Sequence, residues 1–253
     1  MLLILTKYVL TAAYRDKLLL GFLGLLLVGT SVSLFLGSSA ITESDQFSLI
    51  FAGSSLRIAG NLALILFVVF YLRRSFEARD VEYLLSRPIS KFQFLLAHGW
   101  AFIILSFLAA LLVTLFLVAM PISGITPPYF LWGMSLWVEF CIMVLIAMFF
   151  SLALSSAVTA SLASFAFYIM ARLIGDILGI IEAAGNSGAY ALMEKTMLVI
   201  SVFIPRLDMM AQSSWLLYGV SEEINLLFIL LQGTIFSVFV FSAAWLDLNK
   251  RQF

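Results

Sequence analysis

Residues 73–99, RRSFEARDVEYLLSRPISKFQFLLAHG, form the one long charge-dense interruption in a sequence that is otherwise mostly apolar. The stretch separates two apolar runs. Each run is long enough to cross the roughly 30 Å hydrocarbon core of a bilayer, which takes a helix of about 20 residues. The stretch therefore marks a place where the chain leaves the membrane, turns and enters it again, and the topology can be counted outward from it.

The composition of the whole chain indicates an integral membrane protein. Of its 253 residues, 63% are hydrophobic and 11% are charged, with a mean hydropathy of +1.12. Soluble domains hold about 45–50% apolar and about 25% charged residues. The single cysteine, Cys141, excludes an intrachain disulfide, and the single histidine, His98, excludes a multi-histidine metal site. We expect one membrane domain over residues 1–253, with no catalytic residue, metal or cofactor of its own and no nucleic-acid partner.

Six apolar runs lie on either side of the interruption and are long enough to span a bilayer. Backbone polar groups must be paired within the segment in lipid, and the runs lack the two-residue alternation of barrel strands, so each is predicted to be a helix. The expected fold class is an all-α integral membrane protein. Its transmembrane helices are placed near residues 18–37, 54–72, 99–120, 131–154, 157–181 and 224–246.

Lysine and arginine set the predicted orientation, because cytoplasmic loops carry an excess of them. Six spans put both termini on the same side as residues 73–98 and as a tight turn at residues 155–156. Ten of the 14 basic residues fall on that side: Lys7, Arg15, Lys17, Arg73, Arg74, Arg79, Arg87, Lys91, Lys250 and Arg251. Both termini are therefore predicted to be cytoplasmic.

Two segments outside the spans are expected to touch the membrane. Residues 1–17 predict an amphipathic interfacial helix, for which a frayed tail is the alternative. Residues 182–223 form the longest external connection, and the apolar piece at 197–204 is too short to span. This favours a re-entrant or interfacial hairpin that dips in from outside. The apolar stripe expected on the first helix consists of Leu2, Leu5, Val9 and Ala12.

The interruption itself predicts a short helix followed by a bend. Val81, Leu84 and Leu85 repeat at the i, i+3, i+4 spacing of one helix face, within charged surroundings. Pro88 ends that helix near Arg87, because the residue before a proline is disfavoured in helical conformation. A solvated loop of mixed charge is the alternative.

A capping box is predicted at the start of the third span. Ser90 can act as the N-cap, and Gln93, three residues on, can reach back to the Ser90 backbone. The helix that follows is thus expected to begin directly after the bend.

Three charged residues inside the spans are singled out as candidates. Glu139 lies about two turns from the outer end of the fourth span, where we expect a snorkelling or inter-helix hydrogen-bonding role rather than one in substrate passage. Arg172 and Asp176 are four residues apart on the fifth span and predict a self-neutralising structural pair rather than a proton relay. Gly175 and Gly179 beside them would let another helix pack closely.

The layout resembles that of the type-2 permease subunits of ABC exporters, and the specific match lies in the interruption. Members of that family often carry a glutamate, a helix ending in Leu-Leu, a Ser or Thr, a Pro, an apolar residue and a Ser before the third span. The corresponding positions are Glu77, Leu84, Leu85, Ser86, Pro88, Ile89 and Ser90. The branch that serves multi-copper enzyme maturation is the most similar, and PRLDM at residues 205–209 resembles its outer segment. Asp80 and Val81 depart from the usual Gly-Thr pair, and His98 or Gly99 from the usual lysine.

The resemblance implies a transport function in a prokaryotic cell (inner) membrane. A separate ABC ATPase subunit would bind ATP and dock on the cytoplasmic face, since this chain has no G-x-x-x-x-G-K-[ST] loop. A second permease copy, or a related permease, would complete the pathway, with the glycines of the first and fifth spans as contact faces. The implied ATPase-coupling residues are Glu77, Arg79, Asp80, Val81, Leu84, Leu85, Arg87, Pro88 and Ser90.

Two other classes stay open at this point. A channel or secondary transporter is favoured by the intramembrane pair Arg172 and Asp176, although no second broken helix matches it. An intramembrane enzyme is disfavoured because the sequence has no H-E-x-x-H or G-x-S-x-G motif, and His98 is expected to be an interfacial residue. A pathway lined mostly by Leu, Phe, Ser and Ala would suit an amphiphilic cargo better than a small ion.

Overall fold

The computed structural model of the chain is all-helical over the residues that it describes, which are 2–39, 43–78, 90–120, 128–183, 195–196, 204–220 and 226–250. Six of its helices are long and apolar enough to cross a membrane, as predicted. The chain is therefore compatible with a multi-pass membrane protein. The elements are α1 (Leu2–Arg15), α2 (Leu18–Ser38), α3 (Ser44–Glu77), α4 (Lys91–Val118), α5 (Tyr129–Ala153), α6 (Ala157–Ala183), a 3₁₀ turn (Leu207–Met209), α7 (Trp215–Tyr218) and α8 (Leu226–Lys250).

Two of the long helices begin well before their predicted spans. α3 begins at Ser44, and its 34 residues make a rod of about 51 Å, longer than the hydrocarbon core is thick. α4 begins at Lys91 because the predicted capping box is present. The Gln93 N–H donates to Ser90 Oγ at 3.2 Å, and the Ser90 N–H donates to Gln93 Oε1 at 3.4 Å. Hydropathy finds only the lipid-soluble part of a helix, whereas caps set its ends.

α5 lies at the centre of the bundle and packs against α3, α4, α6 and α8. A helix that is apolar all round belongs in a core, and α5 has no wide exposed face between Val138 and Met148. Two glycines let neighbouring helices approach it. A Cβ on Gly60 of α3 would lie 2.6 Å from Phe140 Cζ, and a Cβ on Gly233 of α8 would lie 2.1 Å from a methyl of Val138.

Contacts between side chains show which helix ends lie together. Arg74, near the end of α3, forms an ion pair with Asp16, just after α1, at 3.0 Å. Lys91, at the start of α4, donates to the carbonyl of Leu248 near the end of α8 at 3.4 Å. The ends of α1, α3 and α8 and the start of α4 thus share one end of the bundle, called here the terminal end. The other is called the far end.

α1 packs along α4 and is helical, as predicted. Its buried stripe is Leu5, Val9 and Ala13, at steps of four residues. The predicted stripe was partly wrong, because Leu2 is exposed and Ala13 is the fully buried alanine, whereas Ala12 is half-buried against the core. Its expected position along the membrane surface stays a prediction.

His98 is a core residue of the bundle, and its expected position at the membrane interface stays a prediction. Only 2% of it is exposed, and its ring lies 4.1 Å from that of Phe94, with Tyr71 and Phe102 beside it. Its Nδ1–H donates to the Phe94 carbonyl at 2.8 Å. The reason is the early start of α4 at Lys91, which places His98 two turns inside the helix.

Candidate functional site

Residues 204–220, here called the cap segment, close the far end of the bundle. The segment contains the 3₁₀ turn and α7, and Gly53 on α3 leaves room for Leu216 against that helix. This part of the predicted outer hairpin is packed into the protein. The apolar piece at residues 197–203 lies outside the described residues, so a re-entrant hairpin stays a prediction. The buried side chains of the cap segment are Ile204, Pro205, Leu207, Met210, Ala211, Trp215 and Leu216.

Ala211 is the most constrained point of the cap segment. Its φ of 43° lies in the left-handed region, which costs an alanine about 1–2 kcal/mol. Its N–H donates to Ser135 Oγ of α5 at 2.9 Å, and its carbonyl accepts a hydrogen bond from Arg57 Nη1 of α3. Both backbone polar groups are therefore paired with the spanning helices. Irregular backbone at membrane depth requires such pairing.

Glu139 of α5 joins three helices. It is fully buried, and its Oε1 accepts hydrogen bonds from Asn61 Nδ2 of α3 at 2.8 Å and from the Tyr168 hydroxyl of α6 at 3.2 Å. Its Oε2 lies 3.6 Å from Arg172 Nη1 of α6. Together with Arg57, these residues form what is called here the buried polar cluster: Arg57, Asn61, Glu139, Tyr168 and Arg172.

Arg172 connects this cluster to the cap segment. Its Nη1 donates to the carbonyls of Leu207 and Met210, the latter at 2.8 Å. The predicted pair between Arg172 and Asp176 was wrong, since Arg172 turns inward to Glu139 and Asp176 is exposed. Water cannot solvate the buried Glu139 carboxylate, so the cost of burying its charge is offset by a nearby cation.

The inter-helix hydrogen bonding expected of Glu139 is confirmed, whereas snorkelling was wrong. The side chain is 0% exposed and lies level with its partners. The distance of each residue from the terminal end follows from the helical rise of 1.5 Å per residue. It is about 24 Å for Arg57, counted from residue 73, about 21 Å for Glu139, counted from residue 153, and about 22 Å for Arg172, counted from residue 157. The cluster therefore occupies the half of the bundle nearer the far end.

A cleft of about 520 Å³ opens between α3 and α6 beside the cluster. Asp208 of the cap segment lines it and bonds to Arg206 at 2.8 Å, which raises the pKa of Arg206. Asp208 occupies the space left by Gly175, where a Cβ would lie 2.0 Å from its carboxylate. Gly175 thus packs against the cap segment rather than another helix, and a Cβ on Gly179 would meet nothing.

The described part of the chain brings no three His, Cys, Asp or Glu side chains together. Cys141 is buried in the apolar centre. The cluster and the cleft can instead bind a charged group or hold the cap segment by charge-assisted hydrogen bonds.

The predicted coupling residues lie at the terminal end where the structure describes them. Glu77 is the exposed last residue of α3, and Ser90 is the N-cap of α4. A cavity of about 420 Å³ between α1 and α3, lined by Arg15 and Arg74, opens nearby. Arg79, Asp80, Val81, Leu84, Leu85, Arg87 and Pro88 lie outside the described residues.

Sequence reasoning missed Arg57 and Asn61. Their signal was available, because an arginine inside an apolar run is a functional candidate by default, and Asn61 follows it at the i+4 spacing of one helix face. Arg57 lies in the predicted span at residues 54–72 and is an intramembrane charged candidate of the same kind as Glu139.

No protein family model matches the chain, and no curated protein matches its sequence. Function is therefore inferred from the geometry described above and from the resemblance in residues 77–90.

Proposed function

We propose that the chain is the membrane permease subunit of an ABC exporter, driven by a separate ATP-hydrolysing subunit. It would work as a homodimer, or paired with a related permease, in a prokaryotic inner membrane with its terminal end in the cytoplasm. Support comes from the six apolar helices, from the absence of an ATP-binding motif in the sequence and from the resemblance of residues 77–90 to coupling segments.

The observation that carries the proposal is the gathering of four elements at the terminal end. The pair between Arg74 and Asp16 joins α3 to the end of α1, and the bond from Lys91 to Leu248 joins α4 to α8. A soluble partner that docks on residues 73–98 would therefore act on four helices at once. Charged side chains there would set its register and association rate.

α3 offers a way to pass movement through the protein. One continuous helix of 34 residues carries Glu77 at the terminal end and Arg57 under the cap segment. A tilt of this helix, imposed by nucleotide-driven closure of the partner, would displace Arg57 from the Ala211 carbonyl. Access at the far end would thereby be linked to ATP hydrolysis at the terminal end.

The coupling assignment can be tested with a triple substitution in reconstituted vesicles that contain the ATPase subunit. Replacing Glu77, Leu84 and Leu85 by alanine should reduce transport per ATP at least tenfold while membrane insertion is kept. The matched control is Glu43→Ala with Leu20→Ala and Leu27→Ala, which removes one exposed acid and two exposed leucines elsewhere. Transport per ATP that stays the same in both triple variants would contradict the assignment.

A secondary transporter or channel is the second candidate, and the buried polar cluster is the observation that favours it. Ionisable residues inside membrane proteins often mark ion or proton pathways. Liposomes that contain the purified chain alone decide between the two. Solute flux driven by an ion gradient without ATP would favour the second candidate, and flux only with the ATPase subunit would favour the first.

A further inference from the structure

We propose that the cleft between α3 and α6 binds a zwitterionic phospholipid of the far-end leaflet, with its phosphate towards Arg57 and Arg172 and its ammonium group towards Asp176. The occupant is defined by three features of the cleft: its unbalanced charges, their order along the helices and its apolar wall. The proposal goes beyond the proposed function and does not depend on an ATPase partner.

Among the residues that the structure describes, the charges around the cleft leave one cation and one anion without a matching charge. Asp208 is paired with Arg206 at 2.8 Å. Glu139 is a single acid facing two arginines, Arg57 and Arg172, and only Arg172 lies within ion-pair distance of it. The cluster thus carries one excess positive charge, on the side where Arg57 bonds to a neutral carbonyl.

Asp176 supplies the unmatched anion. It lines the cleft and is exposed, and within the described residues it takes part in no ion pair. A ligand with one negative and one positive group would neutralise both sites. An anionic lipid would satisfy the arginines but would meet repulsion from Asp176.

The order of these groups along the helices matches the order of groups in a phospholipid. The distance along a helix from the terminal end is again counted at 1.5 Å per residue, from residue 157 for α6 and from residue 73 for α3. It is about 28 Å for Asp176 and about 24 Å for Arg57. Leu62 and Phe165 lie deeper, at about 16 and 12 Å. From the far end inward the cleft therefore presents an anion, a cationic site and an apolar surface. A lipid of that leaflet presents an amine, a phosphate and acyl chains in the same order.

The apolar wall of the cleft is open enough to receive acyl chains. Leu62 is 40% exposed and Ile169 is 55% exposed, and both line the cleft on the terminal-end side of Arg57. Its volume of about 520 Å³ falls within the roughly 300–1,000 Å³ typical of small-molecule sites. A soluble zwitterion would leave this wall uncovered, whereas a lipid covers it.

Lipid retention by the purified chain tests the proposal. Protein in detergent is equilibrated with an equimolar mixture of phosphatidylethanolamine and phosphatidylglycerol of the same acyl chains, and bound lipid is counted by native mass spectrometry. We expect at least fivefold more phosphatidylethanolamine. Asp176→Asn should bring the ratio to about one, while Glu43→Gln, which removes an exposed carboxylate at the same end but outside the cleft, should leave it unchanged.

A steric variant tests the place of binding independently of charge. Ile169→Trp should fill the cleft and lower the bound phosphatidylethanolamine at least threefold. Met170→Trp is the control, since Met170 is exposed on the same helix at the same depth but does not line the cleft. Equal retention of both lipids by the wild type, or no effect of Asp176→Asn and Ile169→Trp, would overturn the proposal.

Two further experiments on the purified protein distinguish a lipid from the two other possible occupants of the cleft, a soluble zwitterion and a second copy of the chain. Glycerophosphoethanolamine, which has the headgroup but no chains, should not displace the lipid at millimolar concentration, and displacement would overturn the lipid assignment. An Ile169→Cys variant should form no disulfide-linked dimer on oxidation, and the single native cysteine is buried and contributes none. A disulfide between two copies would show that the cleft is instead an interface between chains.

Discussion

Glu139 and Arg57 show how single side chains hold the far end of this protein together. Glu139 has no solvent contact and accepts hydrogen bonds from α3 and α6, while Arg57 and Arg172 donate to carbonyls of the cap segment. A buried charge is tolerated only when it is paired and hydrogen-bonded. These residues therefore act as one unit. Replacing one of them leaves the others buried without a partner, and the free energy of desolvating their charges is then no longer offset.

Glu139→Gln should destabilise the protein by about 3 kcal/mol, because the buried Arg57 and the half-buried Arg172 then lack their acid. Chemical unfolding in mixed micelles, followed by tryptophan fluorescence, measures the change. Glu43→Gln is the control and should stay within about 0.5 kcal/mol, since Glu43 is exposed. The double variant Glu139→Gln with Arg172→Gln should cost less than the two single variants added together. Strict additivity would contradict the pairing at 3.6 Å.

At the scale of elements, close approach to α5 decides how the helices pack. Gly60 of α3 and Gly233 of α8 lie directly against Phe140 and Val138, so these helices approach α5 along its buried faces. The capping box at Ser90 fixes where α4 begins, immediately after the stretch proposed to couple to a partner. Packing sites and caps thus set both the spacing of the helices and their ends.

Gly60→Ala should destabilise the bundle by about 1–3 kcal/mol, because the new methyl group would meet the fully buried Phe140 ring at 2.6 Å. Gly21→Ala is the matched control on α2, where a Cβ meets nothing within 4 Å. Alanine is the better helix former, so the control should be neutral or gain up to about 1 kcal/mol. Thermal unfolding of the detergent-solubilised protein compares the two. A Gly60 variant as stable as the Gly21 variant would refute the close approach.

At the scale of the whole molecule, the two ends of the bundle differ in character. The terminal end gathers α1, the end of α3, the start of α4 and the end of α8, joined by surface polar contacts such as the pair between Arg74 and Asp16. The far end is closed by the cap segment, whose backbone is bonded to buried side chains. This difference is consistent with the proposed transporter, in which a partner would dock at the terminal end and the cap segment would control access at the far end.

Cysteine labelling in intact cells tests this arrangement, since native Cys141 is buried and gives a low background. Tyr218→Cys, at the most exposed position of α7, should react with a membrane-impermeant maleimide from outside. Glu77→Cys should react only after the cells are permeabilised. The reverse pattern would invert the predicted orientation, and labelling of both positions from one side would contradict the fold.

The sequence by itself determined the all-α class, the number of membrane-length helices and the capping box at Ser90, and it gave bonding between helices as one of two alternatives for Glu139. These features depend on consecutive residues: a run of about 20 apolar side chains or a Ser and a Gln three positions apart. Neighbours along the chain carry all the information that such features need.

Only the tertiary structure decided which groups meet. The rotation of α6 about its axis sends Arg172 to Glu139 rather than to Asp176, and the early start of α4 buries His98. The bond between Arg57 and Ala211 joins residues 154 positions apart in sequence. Such contacts depend on how separate helices rotate and pack against one another, because a helix buried on several sides has no apolar stripe to show which face meets which neighbour.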